Sequence, residues 1–165
     1  MSIGSLGGSA PSTRTVSRRP RTGGHSTRPV LVAPRASDLK CNQVLLATDG
    51  SEFSLAAAVR AVDMGKNCDI TPLVISVAGN SSEIAEAEAN IKAVKELAGQ
   101  LDVSIEELAV VGHPHEAIVE TAVDRGVDLI IIGSHGRAGL ERMLLGSVAE
   151  RVIDNTECAV LVARS

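Results

Sequence analysis

After Asp128, Leu129-Ile130-Ile131-Ile132 is an unbroken apolar run closed by a glycine, Gly133. Such a run has no polar face to give to water, so it reads as a strand covered on both sides. Val44-Leu45-Leu46-Ala47 and Leu73-Val74-Ile75-Ser76-Val77 have the same character. Stretches of helical character lie between and after these runs: about Glu52 to Gly65, roughly Ser82 to Ala98 with Ser81 or Ser82 as its cap, His115 to Arg125, and Ser147 to about Asp154. Ile105 to Val111 alternates more, as an edge strand does, and Ala159 to Ala163 is a last short strand. Five strands separated by helices predict an α/β fold with a mostly parallel sheet, because right-handed crossovers place helices on its faces. In such sheets a ligand binds beyond the C-terminal strand ends, where the strand order reverses. Two loops qualify: Asp49 to Ser51, and the segment from Gly133 onward.

Composition narrows the function classes. Phe53 is the sole aromatic residue, so Val, Ile, Leu and Ala must fill the core, and stacking platforms for single-stranded nucleic acid are missing. Cys41, Cys68 and Cys158 lie far apart with no C-x-x-C pair, which signals neither a disulfide framework nor a zinc knuckle and fits a reducing cytoplasm. No apolar run is long enough for a membrane span. The net charge of −4 is divided: residues 1–37 carry six arginines and no acid, leaving −10 on the remainder. An acidic body disfavours nonspecific nucleic-acid binding. Residues 1–38 are crowded with Ser, Thr, Gly, Pro and Arg and are expected to be a disordered basic tail ahead of one domain over 39–165. A solvated tail, an organelle transit peptide and upstream sequence included by the choice of start codon all stay open for it.

The second loop runs Gly133-Ser134-His135-Gly136-Arg137-Ala138-Gly139-Leu140-Glu141-Arg142-Met143-Leu144-Leu145-Gly146-Ser147. Gly133 and Gly136 permit positive φ and let backbone amides approach an anion without a Cβ in the way. Gly146-Ser147 opens a helix whose free N–H groups and dipole attract phosphate. His135, Arg137 and Arg142 add positive charge nearby, while Met143, Leu144 and Leu145 read as core anchors. Glycines after a strand also serve tight turns, so the loop alone does not decide. Neither a Walker G-x-x-x-x-G-K-S/T nor a G-x-G-x-x-G after the first strand is present.

The pattern G-x2-G-x9-G-S, filled by Gly133, Gly136, Gly146 and Ser147, resembles the ATP-binding signature of the universal stress protein family. Leu46-Ala47-Thr48-Asp49-Gly50-Ser51 and Cys158-Ala159-Val160-Leu161-Val162 match it too, and the resemblance covers about residues 42 to 164. It implies a Rossmann-like, adenine nucleotide alpha hydrolase-like sheet of five parallel strands in the order 3-2-1-4-5. It implies a homodimer joined through Ala159–Ala163, and ATP as ligand, with Mg or Mn as a candidate ion bridging its phosphates. By matching positions, Ala47, Thr48 and Asp49 face the nucleoside and Val77 offers backbone contacts to adenine. Ile132, Gly133, His135, Gly136, Gly146, Ser147 and Val148 surround ribose and phosphates. Two positions depart from the family: Ala47 replaces a common Pro, and Ala149 stands where a hydroxyl residue is sometimes found. The segment from Ala78 to Ser81 is short, which reduces a lid over the base.

Plainer roles compete at several positions. Asp49 also suits a helix cap. His113-Pro114-His115 spaces two imidazoles like metal ligands, but no cluster completes the set, and an exposed loop is the better reading. His135 has no partnered nucleophile and orienting acid, so it is not assigned as a general base. Arg142 and Arg151 suit surface salt bridges. The leading function is an ATP-binding stress-response or signalling module with at most slow hydrolysis. The alternatives are a dimeric interaction protein of the same fold that binds no nucleotide, and an adenylyl-transferring or hydrolysing enzyme.

Overall fold

The computed structural model describes residues 28–34, 40–137 and 145–165. One sheet contains β1 (Val30–Val32), β2 (Val44–Ala47), β3 (Leu73–Ala78), β4 (Glu106–Val111), β5 (Leu129–Gly133) and β6 (Ala159–Ala163). The helices are α1 (Glu52–Cys68), α2 (Ile84–Gln100), α3 (Pro114–Asp124) and α4 (Ser147–Asn155). The strand order is β1-β6-β5-β2-β3-β4. From β2 to β6 all pairings are parallel, and with β1 set aside this is the expected 3-2-1-4-5 arrangement.

The sixth strand is a correction to the five-strand expectation and, at Val30–Val32, to the expectation of a disordered 1–38. β1 pairs antiparallel with β6, and Val30 packs against the core. A Val-Leu-Val triplet is too short to show a period among Ser, Gly, Pro and Arg, yet it meets the open backbone of a strand edge. The rest of the proposed tail, residues 1–27 and 35–38, lies outside the described residues, as do Arg142, Met143 and Leu144. Leu145 packs partly buried against the core, as expected.

Strand alternation sends successive side chains to opposite faces and divides the core in two. Leu45, Ile75, Ile130, Ile132, Val160 and Val162 meet Ile118 and Ala122 of α3 and Ala149 and Val152 of α4. Leu46, Val74, Leu129 and Ile131 meet Ala57, Ala58 and Ala61 of α1 and Ile91 and Val94 of α2. The small residues of α1 let it lie close to the sheet. All residues of β2 and β5 are buried, which explains their lack of polar alternation. β4 forms the far edge and carries exposed charge: Glu107 pairs with Lys95, and Glu106 with Arg125 at 3.4 Å. Charged side chains on an edge discourage pairing with another chain.

Polar contacts fix the ends of these elements. The Asp128 carboxylate accepts the N–H groups of Asn42 and Gln43, each at 3.0 Å, and so ties the entry of β2 to that of β5. Ser51 caps α1, with the Ser54 N–H donating to its Oγ at 3.2 Å. Ser51→Ala is therefore expected to remove about 1 kcal/mol and lower Tm by roughly 2–4 °C in a thermal melt. The turn before α2 is capped by Asn80 rather than by Ser81 or Ser82: a 3-10 turn over Ser81–Glu83 precedes the helix, and the Ser82 N–H donates to Asn80 Oδ1 at 3.0 Å. The cysteines are free thiols. Burial, and then the neighbouring Cys68 and Asp128, push the Cys41 thiol up, so it stays protonated at neutral pH. Among the described residues no helix is long and apolar enough to cross a membrane.

Candidate functional site

β2 and β5 lie side by side and parallel, but the chain leaves β2 toward β3 on one side, while β5 leads on to β6 on the other. Their C-terminal ends therefore open onto the switch point of the sheet, where no crossover covers the gap. A cavity of about 390 Å³ lies there. Its size falls within the range of small-molecule sites, about 300–1,000 Å³.

All eleven residues singled out from the sequence line this cavity: Ala47 at the end of β2 with Thr48 and Asp49 after it, Val77 on β3, Ile132 and Gly133 at the end of β5 with His135 and Gly136 after it, and Gly146, Ser147 and Val148 at the start of α4. Ser54, Ile75, Pro114 and Ile118 also line it, and sequence reasoning missed them. Ser54 and Ile118 were legible only as inward positions of helices. Pro114 begins α3 at the same end of the sheet, where a proline after a loop reads as a helix start and nothing more. Arg137 and Ala149, noted for charge and for departure from the pattern, complete the wall.

Asp49 joins the two loops. Its Oδ1 accepts the Ser51 N–H at 2.9 Å, and its Oδ2 accepts the Arg137 N–H at 3.1 Å, across 88 positions of chain. The helix-cap alternative for Asp49 is therefore replaced: Ser51 is the cap, and Asp49 fixes the Ser51 amide against the second loop. Thr48 is buried, and its Oγ1 donates to Ser54 Oγ at 3.1 Å and accepts the Gly50 N–H at 3.3 Å. Gly50 has φ of 74°, a left-handed conformation that suits glycine.

The second loop closes on itself through backbone. The Gly146 N–H donates to the Ser134 carbonyl at 2.6 Å, and the Ser134 N–H donates to the Ala163 carbonyl at 2.8 Å. The expectation of positive φ at Gly133 and Gly136 does not hold, since among the described residues the positive-φ glycines are Gly50 and Gly126. Close approach accounts for Gly133: a Cβ there would sit 2.7 Å from the Phe53 carbonyl carbon and 2.9 Å from the Ser54 nitrogen. At Gly136 a Cβ would meet the Asp49 carboxylate at 3.1 Å, and at Gly146 it would meet the backbone of His135 and Ser134 at 3.1 and 3.2 Å.

Among the described residues the positive potential at the site comes mainly from backbone. α4 begins at Gly146 without a side-chain cap, so its first amides and its positive dipole end face the cavity mouth. The Arg137 guanidinium turns to α2, pairing with Glu86 and donating to Asn90 Oδ1 at 3.2 Å. The His135 ring packs against Phe53, with centroids 5.0 Å apart, and its Nδ1 lies 3.0 Å from the Ser134 hydroxyl. Ser134 is buried behind the wall, so this contact orients the ring. Among the described residues no group of three His, Cys, Asp or Glu side chains is placed to hold a metal; the imidazole pair of the His113-Pro114-His115 segment stays apart from any such set.

The fold and the cavity together define a Rossmann-like α/β protein with a ligand-sized site at its switch point. The model of the universal stress protein family matches residues 41–164. The chain belongs to that family. Universal stress protein MJ0531 of Methanocaldococcus jannaschii is 38% identical over 138 residues, which span 74% of this chain and 81% of that protein. The solved structure of MJ0577, from the same organism, superposes with a TM-score of 0.67 at 31% identity, covering 76% of this chain and 96% of its own. A universal stress protein solved in complex with cAMP superposes at 0.64 with 29% identity, over 74% of this chain and 96% of its own.

Proposed function

We propose that the cavity binds an adenine nucleotide, ATP in the first instance, and that this chain is an ATP-binding universal stress protein serving as a stress-response or signalling module in the cytoplasm. The observation that carries this reading is the meeting of an apolar half and an amide-rich half in one cavity. Ala47, Ile75, Val77, Ile118 and Ile132 form walls suited to a base, while Gly136 and the start of α4 present backbone to phosphates. The cAMP complex of a family member shows that an adenine nucleotide is bound by a protein of this family. Mg or Mn would enter with the phosphates, neutralising charge between them. Hydrolysis is at most slow, since Asp49 is engaged by two amides and His135 lies against Phe53, which leaves neither placed as a base for water.

Calorimetric titration of the full chain with ATP is expected to saturate near one nucleotide per chain. A folded protein that gives no heat at millimolar ATP would overturn the reading. The second reading, a dimeric interaction protein with no nucleotide, draws on Arg137: its guanidinium is committed to Glu86, so this residue does not bring its charge to the phosphates. A homodimer joined through Ala159–Ala163 belongs to either reading, and it requires an edge that β1 occupies.

A further inference from the structure

Residues 30–33 and residues 160–163 are the same tetrapeptide, Val-Leu-Val-Ala. The first copy supplies β1 and the second lies in β6, and the two pair antiparallel with Val30 opposite Val162, Leu31 opposite Leu161 and Val32 opposite Val160. A second molecule's β6, laid antiparallel about a two-fold axis through Leu161, would present the same three side chains to the same three partners. We propose that β1 is an internal stand-in for the β6 of a second copy, and that it keeps the chain monomeric until it leaves this edge. The inference deepens the dimer reading above and is independent of whether the cavity takes a nucleotide.

The flanking residues fit a cap. Pro29 and Pro34 bracket β1, and a residue without an N–H limits extension of a strand and pairing along its outer side. β1 has three residues against the five of β6, and Leu31 is 47% exposed. By contrast Val160 and Val162, which it covers, are each 1% exposed. A short, half-exposed strand is weakly held, yet it shields two core valines and a free strand edge. Release of β1 uncovers both, and a second β6 restores the same contacts with a longer pairing.

The test is the mass of the full chain in solution. Val30→Asp with Val32→Asp places two carboxylates against Val162 and Val160 and expels β1. Wild type is expected to sediment as the 17.1 kDa monomer, and the double variant to double that mass, with dimer dissociation at least about tenfold tighter. Adding Leu161→Lys sets two lysines opposite each other on the two-fold axis and should return the double variant to a monomer with unchanged circular dichroism. A folded double variant that stays monomeric overturns the proposal. So does a wild-type dimer that the double variant leaves intact or dissolves, since its contact would lie elsewhere or run through β1 itself.

Discussion

Gly133→Val is expected to destabilise the protein by about 3 kcal/mol or more, enough to lower Tm by roughly 6–12 °C, whether or not nucleotide is present. The reason lies in main chain. A Cβ at this position falls 2.7 to 2.9 Å from the carbonyl carbon and oxygen of Phe53 and the nitrogen of Ser54. These atoms belong to the first turn of α1, which is held by the Ser51 cap and by the packing of Ala57, Ala58 and Ala61 on the sheet. Relief requires α1 to shift as a body or β5 to twist away from it, and each disturbs close-packed side chains. Because the Cβ itself is at fault, Gly133→Ala should produce most of the effect, which separates backbone approach from side-chain bulk. A variant that melts with wild type would show that α1 tolerates the displacement.

Gly136→Val should behave in the opposite way, with stability within about 0.5 kcal/mol of wild type and ATP affinity reduced about 10- to 150-fold. Among the described residues its Cβ meets only the Asp49 carboxylate, at 3.1 Å, and a side chain yields where a helix does not. The branched side chain would stand between Asp49 and the mouth of α4, displacing a phosphate from an amide whose charge-assisted hydrogen bond is worth about 1.5–3 kcal/mol. The same calorimetric titration reads the outcome, with the melt as its control. Undiminished affinity in a folded Gly136→Val protein would place the phosphates elsewhere. The contrast matters, because identical glycines of one motif then serve different ends: Gly133 lets a helix approach a strand, and Gly136 keeps a loop clear.

Much of this was legible in the sequence. The strand Ala159–Ala163 falls where its apolar run puts it, and the buried strands show the unbroken hydrophobicity that two covered faces impose. Eleven of the cavity-lining residues were found through loop chemistry and family pattern together, and the structure gathers them around one space. What escaped was long-range or local in a way that no period records. β1 owes its strand conformation to an edge formed by residues over a hundred positions away, so nothing within its own triplet announces it. The partnership of Asp49 with Arg137 is likewise invisible locally, since an Asp before a helix looks like a cap until Ser51 is seen to hold that role. Ile118 and Ser54 were lost because a helix shows which face is buried without showing what that face touches.

The contact between Phe53 and His135 gives the molecule a peculiar optical character. With neither Trp nor Tyr anywhere in the chain, it is almost transparent in the near ultraviolet, and its single benzene ring stands beside the cavity wall. A purine carried through purification would dominate the absorption spectrum outright. The Phe53 ring protons, free of overlap from any other phenyl group, would report magnetically on whatever enters beside them.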